Sequence, residues 1–153
     1  PYTTLFRSIP GVVFGDVRSD WVREMRWQSA GGADWVAERD DDGWRVNGER
    51  GDEQRMTLLL DSWRSLRATD AIALPDGDAQ ASLEALGLDV PAYRLEVVAR
   101  LGDEERTYWL EVGALDASET RYYVRVSRSA DVLLMPREMV DTLVLGALGI
   151  VNN

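Results

Sequence analysis

Residues 93–112 read YRLEVVARLGDEERTYWLEV, and this stretch decides the fold class. Tyr93, Leu95, Val97, Ala99 and Leu101 recur at every second position, the period of a strand with one buried face. Gly102, Asp103 and Glu104 supply the residue types of a tight turn. Tyr108, Leu110 and Val112 then resume the same alternation. A period of two sets successive side chains on opposite sides of a sheet, so a hairpin with one apolar and one polar face is predicted. The polar face carries Arg94, Glu96, Arg100, Thr107, Trp109 and Glu111.

Toward the C-terminus the pattern continues. After a loop near 113–120, Tyr122, Val124 and Val126 predict a third strand, and Asp131–Met135 a fourth. Pro136 suits the first position of a helix, and Val140, Leu143, Val144 and Leu148 form its apolar stripe. Toward the N-terminus, Trp21, Met25 and Trp27 alternate on one strand face. Gly31-Gly32 turns the chain into Trp35–Arg39, and Asp40-Asp41-Asp42-Gly43 turns it again into Trp44-Arg45-Val46. Asp52 is a helix N-cap with Glu53 in the first turn. Met56, Leu59, Leu60, Trp63 and Leu66 then fall on one helical stripe. Ala71–Leu74 reads as a short strand ended by Pro75. Asp76-Gly77-Asp78 leads into a short helix through Leu83 and Leu86, stopped by Gly87. The expectation is an α+β protein: antiparallel β-meanders with helices packed on one face. It has two similar meander-plus-helix halves, 9–75 and 76–153, forming one compact unit.

Composition narrows the chemistry. Among 153 residues there is no His and no Cys, and all 17 basic residues are Arg, so Lys is missing too. No Ser-His-Asp or Cys-His machinery can be assembled, and no imidazole base sits near neutral pH. Ordinary zinc, iron–sulfur and haem ligand sets are excluded, as are the phosphate-loop lysine and Schiff-base chemistry. No cofactor motif and no metal-ligating spacing occur, so no cofactor is expected. The 27 acidic residues give a net charge of −10, which repels polyphosphate and argues against nucleic acid as a partner. The absence of Cys is compatible with cytoplasm and periplasm alike.

The first eight residues, PYTTLFRS, resemble the translation of a sequencing-library adapter and are set aside from fold reasoning. The expectation that follows is a chain beginning within its gene, with any signal peptide or membrane anchor upstream. No apolar run approaches the roughly 20 residues that span a bilayer. The longest, Leu143–Val151, contains two glycines and reads as the end of a core helix.

Several segments together resemble a known family. They are Gly43-Trp44-Arg45-Val46 before a Leu-rich helix, Leu86-Gly87-Leu88-Asp89-Val90-Pro91, Leu110-Glu111-Val112-Gly113, Tyr122-Tyr123-Val124-Arg125 and Asp131–Pro136. In this order, over about residues 17–148, the chain resembles the bacterial family called domain of unknown function 4340. The resemblance implies an extracytoplasmic, membrane-tethered accessory protein with a partner in the cell envelope, in some cases components of an ABC-type transporter. It brings no catalytic residue. The chain differs from the family pattern in having no anchor within it. A cytoplasmic placement is the alternative should the resemblance not hold.

The acidic run Asp40–Asp42 invites a calcium reading, but its aspartates are contiguous in a hairpin-length gap. Calcium loops need alternating ligands, so a solvated turn is expected. Asp76–Asp78 and Asp103–Glu105 read as turn and capping residues. Glu96 and Glu111 on neighbouring strands are close enough to raise the question of a carboxylate-dependent hydrolase; cross-strand pairing with Arg accounts for them without catalysis and is the reading preferred. Of six tryptophans, Trp21, Trp27, Trp44 and Trp63 are expected in the core. Trp109 falls on the polar face, with Arg94, Arg100, Tyr123 and Arg125 around it. Aromatic and arginine side chains on one face compose an interaction surface, unless another part of the chain covers Trp109. A small-ligand or glycan-binding module using Trp109, Tyr123 and Arg125 is the competing function. The reading carried forward is a non-catalytic accessory or interaction domain.

Overall fold

The computed structural model describes residues 11–74 and 77–151. The adapter-like residues 1–8, Pro75 and Asp76 lie outside the described residues. In chain order the strands of the first half are β1 (Gly11–Val12), β2 (Val22–Ser29), β3 (Trp35–Asp40), β4 (Gly43–Val46) and β5 (Glu49–Arg50). Helix α1 (Glu53–Ser65) follows, then β6 (Arg67–Ala68), β7 (Asp70–Ile72) and the short α2 (Ala79–Ala85). The second half holds β8 (Tyr93–Leu101), β9 (Glu104–Leu115), β10 (Arg121–Val126), β11 (Val132–Pro136) and α3 (Arg137–Leu148). The protein is α+β, as the alternation predicts.

A meander of four strands followed by a helix occurs twice along the chain, but the two meanders do not form separate sheets. They join through β2 and β8 into one nine-stranded antiparallel sheet, in the order β5-β4-β3-β2-β8-β9-β10-β11-β7. Strand β7, from the first half, closes the far edge against β11 of the second. The sequence division at 75/76 therefore marks no break in the sheet. A two-stranded ribbon of β1 and β6 is paired separately and lies against β11.

Helices α1 and α3 pack against each other on one face of the sheet. Met56, Leu59, Leu60 and Trp63 of α1 and Val140, Leu143, Val144 and Ala147 of α3 are buried there. They meet Met25, Trp27, Trp35, Ala37, Trp44, Leu95, Val97, Leu110, Val112, Val124 and Val126 from the strands. Trp35 ties the layers together, its Nε1–H donating to the Ala147 carbonyl at 2.8 Å. Asp52 caps α1 as predicted, accepting from the amides of Gln54 and Arg55 at 3.0 and 3.1 Å. Glu53 reaches back to accept from the Trp44 amide at 2.6 Å, fastening the helix to β4.

Local differences from the sequence reading have identifiable causes. Trp21 is not in β2; it ends a 3₁₀ turn at Ser19–Trp21 and is half-buried. A register shift between Val22 and Glu24 breaks the alternation that placed it beside Met25 and Trp27. Pro136 ends β11 and precedes α3 by one residue, with the extended ψ of a cap. Strand β9 runs on to Leu115, through what the glycine at 113 suggested was a loop. The segment Val13–Val17 was not recognised as core, yet Phe14 and Val17 are buried. Phe14 stacks on Trp63 with ring centroids 4.5 Å apart. Arg64 anchors the segment, donating to the carbonyls of Val17 at 2.6 Å and Gly15 at 3.1 Å.

Candidate functional site

With α1 and α3 on one face, the other face of the sheet displays the polar half of each alternating strand. Its central rows follow from register. Arg26 on β2 stands opposite Glu96 on β8, and Glu96 opposite Trp109 on β9. The next row places Gln28 opposite Arg94, Arg94 opposite Glu111, and Glu111 opposite Arg125 on β10. Tyr123 lies one row further, opposite Leu134 of β11.

Arg94 organises this patch. Its Nη1 donates to Glu111 Oε2 at 2.6 Å, and its Nη2 and Nε donate to Glu96 Oε2 at 3.1 and 3.3 Å. The guanidinium carbon lies 5.0 Å from the centre of the Trp109 ring, within the range of a cation–π contact. Trp109 is half-buried, and the Glu111 side chain retains only 16% of its exposure. The Trp109 backbone is held by Ser127: its N–H donates to Ser127 Oγ at 3.1 Å, and its carbonyl accepts from the Ser127 amide at 2.9 Å. The neighbouring Arg94 thus lies over part of the Trp109 ring.

Arg125 differs from the other arginines of the patch. Among the described residues it has neither an ion pair nor a hydrogen bond, because Glu111, its register partner, is held by Arg94. A cation is thus left diagonal in register to Trp109, on a face that α1 and α3 do not cover. Arg100 is not part of the same patch. It pairs with Glu105 at 3.3 Å near the β8–β9 turn, six residues or about 20 Å along the strand from Arg94. Tyr123 is half-buried and adjoins the patch on β10. Four of the five residues singled out in the sequence are therefore together, and the fifth stands apart.

Sequence reasoning missed Arg26 and Gln28, which β2 presents on the same face. Arg26 donates through Nε to Glu24 at 2.8 Å, and that carboxylate raises the guanidinium pKa further. Beside Arg26 and Glu96 is a shallow depression of about 280 Å³, reaching Asp34, Val36 and Asn47. The outward alternation of β2 was the available signal; which strand neighbours β8 was not legible. The other face-forming element is the turn after α2. Leu86 and Leu88 lie against Gly113, where an added Cβ would stand 2.5 Å from the Leu86 carbonyl oxygen.

The alternative chemistries can be placed on the same geometry. Glu96 and Glu111 do approach one another, but both are bound to the one guanidinium of Arg94. Asp40 is occupied as a turn residue, accepting from the Asp42 amide and from Arg45 Nε, each at 2.8 Å. Among the described residues no group of three carboxylates is arranged to hold a metal ion, and no helix is long and apolar enough to cross a membrane. Comparison of the chain with protein-family models, with curated proteins and with solved structures finds no match.

Proposed function

We propose that the protein is a non-catalytic interaction domain of the bacterial cell envelope, engaging a protein partner through the face bearing Trp109, Tyr123 and Arg125. The observation that carries this reading is the pairing pattern around Arg94. It satisfies Glu96 and Glu111 and leaves Arg125 as a cation without a partner among the described residues, diagonal in register to a half-buried tryptophan. Interfaces draw on such aromatic and arginine side chains as their energetic anchors. The placement outside the cytoplasm, the membrane tether and an ABC-type transport system as the partner's setting rest on the family resemblance in the sequence.

Glycan binding uses an aromatic ring as a stacking platform, and Trp109, with Tyr123 adjoining the patch on β10, would have to serve. The Arg94 guanidinium already lies over the Trp109 ring, and the two tryptophans that line the depression nearby, Trp27 and Trp35, are buried and offer no exposed ring face. The protein-binding reading is therefore preferred. It is tested by placing a photo-crosslinking amino acid at position 125 or 109, or at the exposed Arg18 as a control, in the native host. Adducts with one envelope protein from 125 and 109, absent from 18, support the reading. The same adducts from all three positions, or none from any, overturn it.

A further inference from the structure

The helix layer has a second surface, facing away from the sheet and independent of the Trp109 patch. Helices α1 and α3 run antiparallel: Arg55 at the start of α1 donates through Nη1 to the carbonyl of Gly149, just past the end of α3, at 2.8 Å. Between their outer sides runs a groove made of two adjoining cavities, of about 360 and about 370 Å³, which share Leu58, Ser62 and Thr142 as lining. Leu58 and Leu145 flank it, and they are 58% and 69% exposed. Among the described residues, no structural role accounts for two leucines so placed. The small side chains of Ser62, Thr142 and Gly146 leave room for close approach.

The groove is asymmetric in charge. At one end both Asp61 and Glu138 line it, and neither carboxylate has an ion pair or hydrogen bond among the described residues. Glu138 lies in the first turn of α3, where a negative charge suits the helix dipole. Asp61 has no such reason: it sits in the C-terminal half of α1, where a negative charge opposes the dipole.

We infer that this groove docks a basic amphipathic helix from a partner protein. The chemistry selects the occupant. A helix satisfies its own backbone hydrogen bonds, whereas a strand laid between two helices would find no edge to pair with. From Arg55 to Ser65 the groove is about 15 Å long, which matches about ten residues of helix, or three turns. Apolar anchors at i, i+4 and i+7 would meet Leu58, Met139 and Leu145. Arginine or lysine flanking them would meet Asp61 and Glu138. A second copy of this chain fits less well, since its charge of −10 repels its like.

The probe is a fluorescein-labelled helical peptide of about 14 residues with leucines at i, i+4 and i+7 and flanking arginines. Its control replaces the arginines with glutamate, and both are titrated against the whole chain by fluorescence anisotropy. The arginine peptide is expected to bind saturably and at least tenfold more tightly than the control. Leu58→Glu is expected to weaken it at least tenfold with an unchanged circular dichroism spectrum, although the new charge would strengthen any merely electrostatic attraction. The double variant Asp61→Arg/Glu138→Arg is expected to reverse the preference between the peptides. The inference is overturned by absence of saturable binding, by equal binding of both peptides, or by binding indifferent to Leu58→Glu. Sedimentation of the wild type as a dimer that Leu58→Glu converts to monomer would also overturn it, by assigning the groove to a second copy.

Discussion

The Arg94 guanidinium lies 5.0 Å from the centre of the Trp109 ring while holding Glu111 at 2.6 Å, so one side chain joins the aromatic and acidic parts of the exposed sheet face. The relationship joins the neighbouring strands β8 and β9 and decides which cation on that face stays available. It also makes the patch experimentally separable from the core beneath it.

Arg94→Ala removes the shared partner of two carboxylates. With Arg94 and Glu111 at 26% and 16% side-chain exposure, the cost is expected to be about 1–2 kcal/mol, above that of a fully exposed pair. Urea unfolding measures it. Arg125→Ala, with no partner among the described residues to lose, is expected to change stability by less than about 0.5 kcal/mol. Equal losses from the two variants would contradict the pairing described.

Phe14 is fully buried and stacked on Trp63. Phe14→Ala is expected to destabilise by about 3–5 kcal/mol through the lost burial and the cavity left behind. Thermal unfolding followed by tryptophan fluorescence reports both the stability and the changed surroundings of Trp63. A loss below about 1 kcal/mol would mean that the segment from Val13 to Val17 is not part of the core.

Gly113 is required by space alone, since an added Cβ would come within 2.5 Å of the Leu86 carbonyl and 2.8 Å of the Leu88 side chain. A backbone oxygen cannot rotate away as a side chain can. Gly113→Val is therefore expected to cost about 2 kcal/mol or more. In hydrogen exchange, protection should fall at the Ala114 amide, which donates to Leu86. Unchanged stability would show that the turn after α2 is free to move.

Burial, reinforced by Asp141, pushes the Tyr122 hydroxyl up to about 12 from its usual 10.0, and it donates to Asp141 Oδ1 at 2.6 Å. The folded state holds this proton more tightly than the unfolded chain. Its contribution is therefore complete below pH 10 and is lost as pH rises through about 12. Denaturant titrations across that window should show falling stability in the wild type and a flatter profile in Tyr122→Phe. At the acid end the sign reverses. The hydrogen bond from Arg128 lowers the Asp16 carboxyl below 3.8, so that contribution is present above this value and lost as pH falls through the lowered one. Asp16→Asn is expected to remove it, and a wild-type acid limb unaltered by Asp16→Asn would exclude the pairing.

Much of this was legible along the chain because it depends on neighbours a few residues apart. The two-residue alternation of Tyr93–Leu101 and Tyr108–Val112 identified the strands, their buried face and the outward position of Trp109. The stripe from Met56 to Trp63 and the cap at Asp52 identified α1. An alternating pattern is a local consequence of which side of a pleat meets water, so it needs no knowledge of the partner strand. The absence of His, Cys and Lys was equally a property of the chain itself, and it removed whole classes of chemistry before any geometry was considered.

What only the tertiary structure decided was adjacency. Joining of the meanders through β2 and β8, capture of β7 at the far edge, and burial of Phe14 against Trp63 each pair residues far apart in sequence. So did the outcome at the candidate site: alternation put Arg94, Arg100 and Arg125 on one face, but register gave Glu111 to Arg94, set Arg100 far along the strand and left Arg125 over. The helix groove between Leu58 and Leu145 likewise exists only because two stripes, each readable alone, come to lie side by side. The reason is physical: periodicity fixes which side of an element faces inward, whereas competition among all the inward faces for one shared core fixes which elements touch.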